Sequence, residues 1–571
     1  MNSVRERIET QFSNKVYPNP VDPKIARQFV AGIERFRKEY IFHHYFWILG
    51  DNSEFSGSWY ETRDPNSTET IVGRFPQFSA SRLASIAEFR LPHIRAAGRR
   101  FFLENPWQKR VRLLEIISDV VKERFWLLCA AKMYETGQSA SEAIGETDEE
   151  IDFPLVNAMY LEELNRELRF PSPSWAGDLN GERFVPHGVF LDVEPFNFPG
   201  AIPMDMATKA LAMGNAVILK PSPKASLCGY LVWESIKIAF ERVGINWHGV
   251  VNYAPGDAEV VDAFLSSPEI AGMSFTGSSA VFHDIKERHG QILRHGWRGK
   301  AKLVTGSAET SGVNTFIVCA DTDPVYAANE YVKSFVGRSG QKCSSARIAF
   351  VDMKLYSLFM AAVVERLEQI HYGDVRKGAD LGAMITAADS KKLSRQIEEL
   401  KNAGLVRVYR EKPITRVSNN DFPPTVLEYT DSAYNERAVR TLMNTEFFGP
   451  VSTVVPFRNL DKVERMCNVT NFALTGSVFC RDIGTLERVL NFIPAGNLYW
   501  NRKCTGALVE MECFGGLRSA SSPNGVKGKH ALTLFGSDVT FSGFYPEKVD
   551  NEYKEAAREM FTRNGFNLSK W

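Results

Sequence analysis

Between Val185 and Pro255 the chain alternates strand and helix with short Gly or Pro punctuation. "VPHGVFLDVEP" reads as a strand and "IPMDMATKALAMG" as a helix ended by Gly214. "NAVILKPS" is a second strand, "ASLCGYLVWESIKIAFERVG" a helix ended by Gly244, and "GVVNYAP" a third strand. That order is the sequence form of a parallel sheet with crossover helices. Ligands on such sheets bind beyond the carboxyl ends of the strands, so the loops "EPFNFPG", "KPSPK" and "TGSSA" are where a site is expected. Upstream, residues 109–139 place Val111, Leu114, Ile117, Val120 and Val121 at spacings of three and four, which predicts a helix with one buried face.

With 571 residues the chain exceeds one ordinary core, and two or three domains are expected. Lys+Arg and Asp+Glu balance at 68 each, which removes the electrostatic footprint of a nucleic-acid binder. The cysteines, at 129, 228, 319, 343, 467, 480, 504 and 513, form no C-x-x-C pair, so a reducing compartment is expected. The first twenty residues hold early charges and no apolar core of a secretory signal, and no run of about 18 apolar residues occurs. The expectation is a cytoplasmic protein with no membrane partner. A mitochondrial matrix location is the alternative, opposed by Glu6 and Glu9. The ten histidines, including adjacent His43 and His44, show no metal-ligand spacing, so no metal is expected.

Three local features carry possible chemistry. "GMSFTGSSAVFHDIKERH" runs a strand through Thr276-Gly277-Ser278-Ser279 into a helix, whose first N–H groups make an anion site; alternatively, Ser279 is an ordinary N-cap. No G-x-G-x-x-G follows the first strand, so a dinucleotide must be held in another way. Glu309, in a turn between two apolar runs, is either a capping carboxylate or a partly desolvated base. Cys343, in "SGQKCSSARIAF", is either a nucleophile or one more small apolar residue at the edge of a strand.

Taken in order, the motifs resemble those of the aldehyde dehydrogenase superfamily. "EPFNFP" at 194–199 is similar to its P-W-N-F-P box, "LKPSP" at 219–223 to its K-P-x-x box and "FTGSS" at 275–279 to its F-T-G-S box. "ETSG" at 309–312, "GQKCS" at 340–344, "EFFGPV" at 446–451 and "FGG" at 514–516 complete the set, and Glu309 and Cys343 stand 34 residues apart, as is usual there. "GNLYWNRKCTGALVEMECFGG", residues 496–516, resembles more narrowly the Δ1-pyrroline-5-carboxylate dehydrogenase branch, which oxidises L-glutamate γ-semialdehyde.

The resemblance implies a mechanism. Cys343 would attack the aldehyde, Asn197 and the Cys343 N–H would hold the oxyanion, and Glu309 would activate the water that hydrolyses the thioester. It places Lys220, Ser222, Gly277, Ser278, Glu446 and Phe448 on NAD; Pro223 stands where many relatives carry a ribose-binding Glu, so NADP stays open. It places Ser344, Gly506 and Ala507 on the substrate carboxylate and Phe198 and Phe514 on its stem, with Lys342 adding positive charge. Glu142 would face its amino group or be a plain solvated helix acid.

The fold implied is α/β: a modified Rossmann cofactor domain, a catalytic parallel-sheet domain and a small β oligomerisation element. Residues 1–167 and 187–308 would form the first, 309–508 the second, and a hairpin at 168–186 the third, with a return segment and late strand in 509–571. In "DVTFSGFY", Val539, Phe541 and Phe544 would sit on edges that another subunit covers, so a homodimer or larger oligomer is expected. Four departures stand out, one of them Ala520-Ser521 in place of the family's S-G. Ser311 occupies a position that is glycine in the family, where a side chain could hinder the cofactor. "CFGG" replaces P-F-G-G, and "KGKHALTLF" replaces a G-G-P-x-Y stretch. They leave open an enzyme for another carboxylated or bulky aldehyde, and a non-catalytic nucleotide-binding scaffold. A CoA-acylating variant is disfavoured, since Glu309 would have no water to activate.

Overall fold

The computed structural model describes residues 22–167, 178–295, 307–430, 435–521, 527–544, 551–563 and 567–568. The strands read from the alternation, Val189–Val193, Ala216–Lys220 and Val251–Tyr253, lie side by side in parallel, joined by the helices Ala201–Ala212 and Ser226–Val243. Ile270–Thr276 and Ala308–Glu309 extend the sheet on one side, and the antiparallel pair Trp47–Leu49 and Asn52–Glu54 closes the other. Every residue of the three central strands is buried, as a sheet covered on both faces requires. Their alternation sorts side chains between two cores: Phe190, Val217 and Leu219 face one, and Val189, Leu191, Ala216 and Ile218 the other.

A second sheet of seven strands is built in the same way from Val406–Glu411, Thr425–Tyr429, Val451–Phe457, Ala346–Asp352, Asn314–Val318, Thr475–Phe479 and Asn497–Trp500, in that spatial order. Only its first strand runs antiparallel. Phe316, Val318, Ala349 and Val454 enter one core, and Ile317, Ile348, Phe350 and Val455 enter the opposite one.

Register decides where function can sit. In the first sheet Glu309 pairs with Thr276, Phe275 with Val193, and Val193 with Lys220, so four motifs distant in sequence end in one row. In the second sheet the motifs precede the strands. Gly312, Cys343 and Phe448 stand just before Asn314–Val318, Ala346–Asp352 and Val451–Phe457, which are neighbours. Carboxyl ends of one sheet thus meet amino ends of the other across a single cleft, whose lining draws on both.

Two expectations change. The helix expected over 109–139 is two helices, Trp107–Glu123 and Phe125–Thr136. They break at Arg124, whose buried guanidinium pairs with Glu234 and reaches the Tyr40 hydroxyl. The strand expected over "VPHGVFLDVEP" is divided between sheets at Gly188, whose φ of +138° few residues but glycine adopt. Asp178–Pro186 pairs antiparallel with Gly536–Phe544, and Asn567–Leu568 lies on its other edge. Val539 is exposed there and the Phe541 ring packs on Phe561. Residues 168–177 of the expected hairpin lie outside the described residues, as does the Phe544 side chain. Among the described residues no helix is long and apolar enough to cross a membrane, and no group of three or more potential metal ligands occurs.

Gly340 combines a left-handed backbone, φ +66°, with a close approach, since a Cβ there would stand 1.9 Å from the Gly449 carbonyl oxygen. Gly404 has a similar φ of +69° with nothing within 4 Å of a Cβ. Gly340→Ala is expected to cost about 2 to 4 kcal/mol through strain and overlap together, and Gly404→Ala no more than about 1 kcal/mol through strain alone. Thermal unfolding of the two variants beside the parent chain checks this.

Candidate active site

The loop that carries Cys343 is held from both ends. Arg338, Ser339 and Gly340 are three successive left-handed residues, with φ of 56°, 51° and 66°, the first two being strained for side-chain-bearing residues. The Arg338 guanidinium donates to the Glu146 carboxylate at 3.0 Å and lies 4.9 Å over the Phe198 ring. The other Glu146 oxygen accepts the Gly200 N–H at 2.8 Å, at the start of the helix Ala201–Ala212. Past the cysteine, Asn314 Nδ2 donates to the carbonyls of Cys343 (2.6 Å) and Ser345 (2.8 Å). Fully buried Arg347 donates to the carbonyls of Gly340, Lys342 and Gly449 at 2.8 to 2.9 Å. None of Arg338, Glu146, Asn314 and Arg347 was marked by the motifs, because Glu146, Asn314 and Arg347 act on the backbone of a motif and Arg338 on Glu146, not on a ligand.

Two spaces lie on the side of the molecule that carries Cys343, and the cysteine lines the wider one. The wider cleft is lined by Asn197, Lys220, Ser222, Gly277, Ser278, Glu446 and Phe448, with Cys343 itself. The six residues expected on the cofactor, together with Asn197, therefore share one surface with the cysteine. Their chemistry fits a dinucleotide. Beside Lys220, both carboxylate oxygens of buried Glu194 lack a partner among the described residues, as does the Thr276 hydroxyl. Burial pushes the Lys220 ammonium down to about 8, against the pull of Asp257 and Glu194. Two details of the phosphate end differ from a bare helix N-terminus: Gly277 N–H donates to the Glu309 carbonyl, and the Ser278 hydroxyl caps Val281 N–H. Ser311 is buried, and its hydroxyl accepts the Ser279 N–H at 3.2 Å. It turns back onto the helix start and so ties that helix to the end of the Glu309 strand. Glu446 accepts the Gly312 N–H at 2.9 Å, and the Phe448 ring meets Phe196 edge-on.

The second opening is an inner cavity lined by Ala507, Phe514, Glu149, Phe153, Asp205 and Lys527. Cys343 and Ala507 pack against the small apolar cluster of Leu474, Phe514 and Ala520, and of these Ala507 and Phe514 line the inner cavity. Of the other residues expected on substrate, Phe198 is half-buried under Arg338, Ser344 is buried, and Gly506 holds φ +77° at the turn before Ala507. Lys342 and Glu142 meet each other in an ion pair of 2.5 Å. Glu149, one of the next acids along the same helix, lines the cavity instead. Burial pushes its carboxyl up to about 7, with Lys527 opposing. A solvated-helix pattern hides such a residue, because one acid of "GETDEE" looks like another until the helix is docked.

Glu309 is buried and its carboxylate accepts no hydrogen bond from the described residues, which removes the capping alternative. Burial raises its pKa, against Lys527 and Lys209. Burial also pushes the Cys343 thiol far up, and the Glu309 charge adds to this. Six other cysteines are buried and only Cys513 is exposed.

The matched family is the aldehyde dehydrogenase family, whose model spans residues 54–537, and the chain belongs to it. Its cofactor is accordingly a nicotinamide dinucleotide and its substrate a small aldehyde. Among relatives, the 1-pyrroline-5-carboxylate dehydrogenase of Geobacillus thermodenitrificans is 30% identical over 519 residues, 90% of this chain and 96% of that protein. That of Bacillus subtilis is 30% identical over 478 residues, covering 82% and 87%. The NAD-bound structure of the Thermus 1-pyrroline-5-carboxylate dehydrogenase superposes with a TM-score of 0.83 at 27% identity, covering 93% of this chain and 99% of that one.

Because burial and Glu309 both hold the Cys343 thiol protonated, its alkylation by iodoacetamide in a Cys513→Ser background should accelerate continuously from pH 7 to pH 10, about tenfold per unit. Peptide mass spectrometry reads the site. A plateau near neutrality would contradict the electrostatics described above.

Proposed function

We propose that the chain oxidises L-glutamate γ-semialdehyde, the open form of 1-pyrroline-5-carboxylate, to glutamate with NAD, as a homodimer or larger oligomer of a reducing compartment such as the cytoplasm. The observation that carries this reading is that Cys343 lines the wide cleft together with the residues expected on the cofactor and packs against the apolar cluster whose Phe514 lines the inner cavity. The names of the relatives above supply the choice of aldehyde.

In this reading the Cys343 thiolate adds to the carbonyl carbon and forms a thiohemiacetal. The Asn197 amide and the Cys343 N–H, the latter on a loop fixed by Asn314 and Arg347, donate to the alkoxide where charge develops. Bound nicotinamide supplies the hydride acceptor. Glu309, raised by burial toward working pH and without a competing hydrogen bond, takes the proton of the water that attacks the thioester. Ser344 and the Gly506–Ala507 backbone hold the α-carboxylate, Phe198 and Phe514 flank the stem, and Glu149 faces the amino group, since Glu142 is engaged with Lys342. NAD in preference to NADP is supported by the NAD-bound structure of the Thermus relative; Glu194, beside Lys220, is pushed far up by burial and by Asp192 and adds no charge against a 2′-phosphate. Oligomerisation is supported by the exposed Val539 on the sheet of Asp178–Pro186 and Gly536–Phe544.

With glutamate semialdehyde and NAD, the purified protein should form NADH with a kcat/KM well above that for propanal. Cys343→Ala should lower it by about 10³-fold or more. Glu309→Gln should give one stoichiometric burst of NADH and then stall at the thioester. Equal rates on the two aldehydes would overturn the substrate assignment.

A further inference from the structure

We propose that Lys527 is a specificity-determining residue whose ammonium pairs with the carboxylate of the aldehyde substrate in the inner cavity; the proposal rests on the reading of that cavity as the substrate site. Lys527 belongs to the segment that replaces the family's G-G-P-x-Y stretch, so the departure itself delivers the charge. Its Nζ lies 5.0 Å from the centre of the Phe514 ring and 4.7 Å from that of Phe153, over both π faces. Both rings line the cavity, as do Ala507 and Lys527 itself.

Among the described residues no ion pair or hydrogen bond is made by this ammonium. Glu149, Asp205 and Glu309 act on it through space only. The neighbouring cation, Lys209, is already committed to Asp205 at 2.6 Å. Lys342, the lysine that the motif pattern sets beside the carboxylate, is neutralised by Glu142 at 2.5 Å and does not line the cavity. A partly buried cation held between aromatic faces, with no contact partner and neutral donors at Ala507 sharing its cavity, is preorganised for an anion. A carboxylate reaching it would complete one ion pair without breaking another.

The test measures kcat/KM of the parent chain, Lys527→Met and Lys527→Arg on glutamate semialdehyde, on 5-oxopentanoate, which keeps the carboxylate and lacks the amino group, and on pentanal. Lys527→Met should lose about 10- to 100-fold on both carboxylated aldehydes relative to its change on pentanal, and Lys527→Arg should recover most of that loss. A uniform change on all three, or none, would overturn the role of Lys527. The substrate assignment is judged separately, on the parent chain. A parent chain that prefers 5-oxopentanoate to glutamate semialdehyde, with both lowered alike in Lys527→Met, would sink the assignment and leave the lysine's role standing.

Discussion

The guanidinium of Arg347 is buried without a carboxylate in contact, and three backbone carbonyls serve it instead: two from the cysteine loop and one from the loop that follows Glu446 and Phe448. Burial lowers its pKa only to about 10, so it stays charged at neutral pH. A charged donor set of fixed, planar geometry sets the spacing of the three acceptors, which a flexible ammonium would not. The positions of the nucleophile and of the nicotinamide end of the cleft are therefore interdependent. Gly340 completes the constraint, because its backbone must pass against Gly449 where no side chain fits.

On the other flank, the left-handed run of Arg338 to Gly340 turns the Arg338 side chain toward Glu146 and Phe198. Glu146 in turn holds the first N–H of the helix after Asn197. One buried ion pair so connects the strained cysteine loop, the asparagine loop and the helix that carries Glu142 and Glu149. Buried charged pairs of this kind add little net stability over apolar packing, but removing one partner is expensive. Their effect here is geometric: the oxyanion donor and the nucleophile are braced through shared side chains, and a shift in one loop is resisted by the others.

How much of this was legible beforehand depended on the kind of signal. The parallel sheet was visible because strands buried on both faces are runs such as "AVILK", and crossover helices end at glycines such as Gly214 and Gly244. The break at Arg124 was not, since periodicity continues across a single residue that leaves the helix for a distant acid. The residues lining the cleft were identifiable as motifs because they occupy strand ends, where function is concentrated by topology. Arg347, Asn314 and Glu146 escaped because an arginine in "SSARIAF" or an asparagine in "SGVNTF" carries no local pattern; the first two donate to backbone carbonyls, and Glu146 accepts from the Gly200 N–H and from Arg338 on other segments. Lys527 was hidden for the opposite reason. The segment around it was noticed only as a loss of the family pattern, and what replaced the pattern had meaning only once its fold against Phe153 and Phe514 was known.

The electrostatics of Cys343 and Glu309 join the two halves of the chemistry. Each is buried, each is raised by that burial, and the charge of Glu309 raises the thiol further. Two such groups resist being anionic together, so at neutral pH the pair retains a proton between them. The thiolate that attacks the aldehyde is then favoured when Glu309 is neutral, whereas the water that releases the acyl group needs Glu309 as a base. Those demands fall at different stages, because the sulfur is no longer anionic once it carries the acyl group. Loss of that charge by acylation lowers the carboxyl's pKa when its basic form is wanted. Lys209 and Lys527, both acting on Glu309 from the inner cavity, oppose the rise that burial causes. The same cavity thus sets the charge state of the catalytic pair and receives the substrate that the pair transforms.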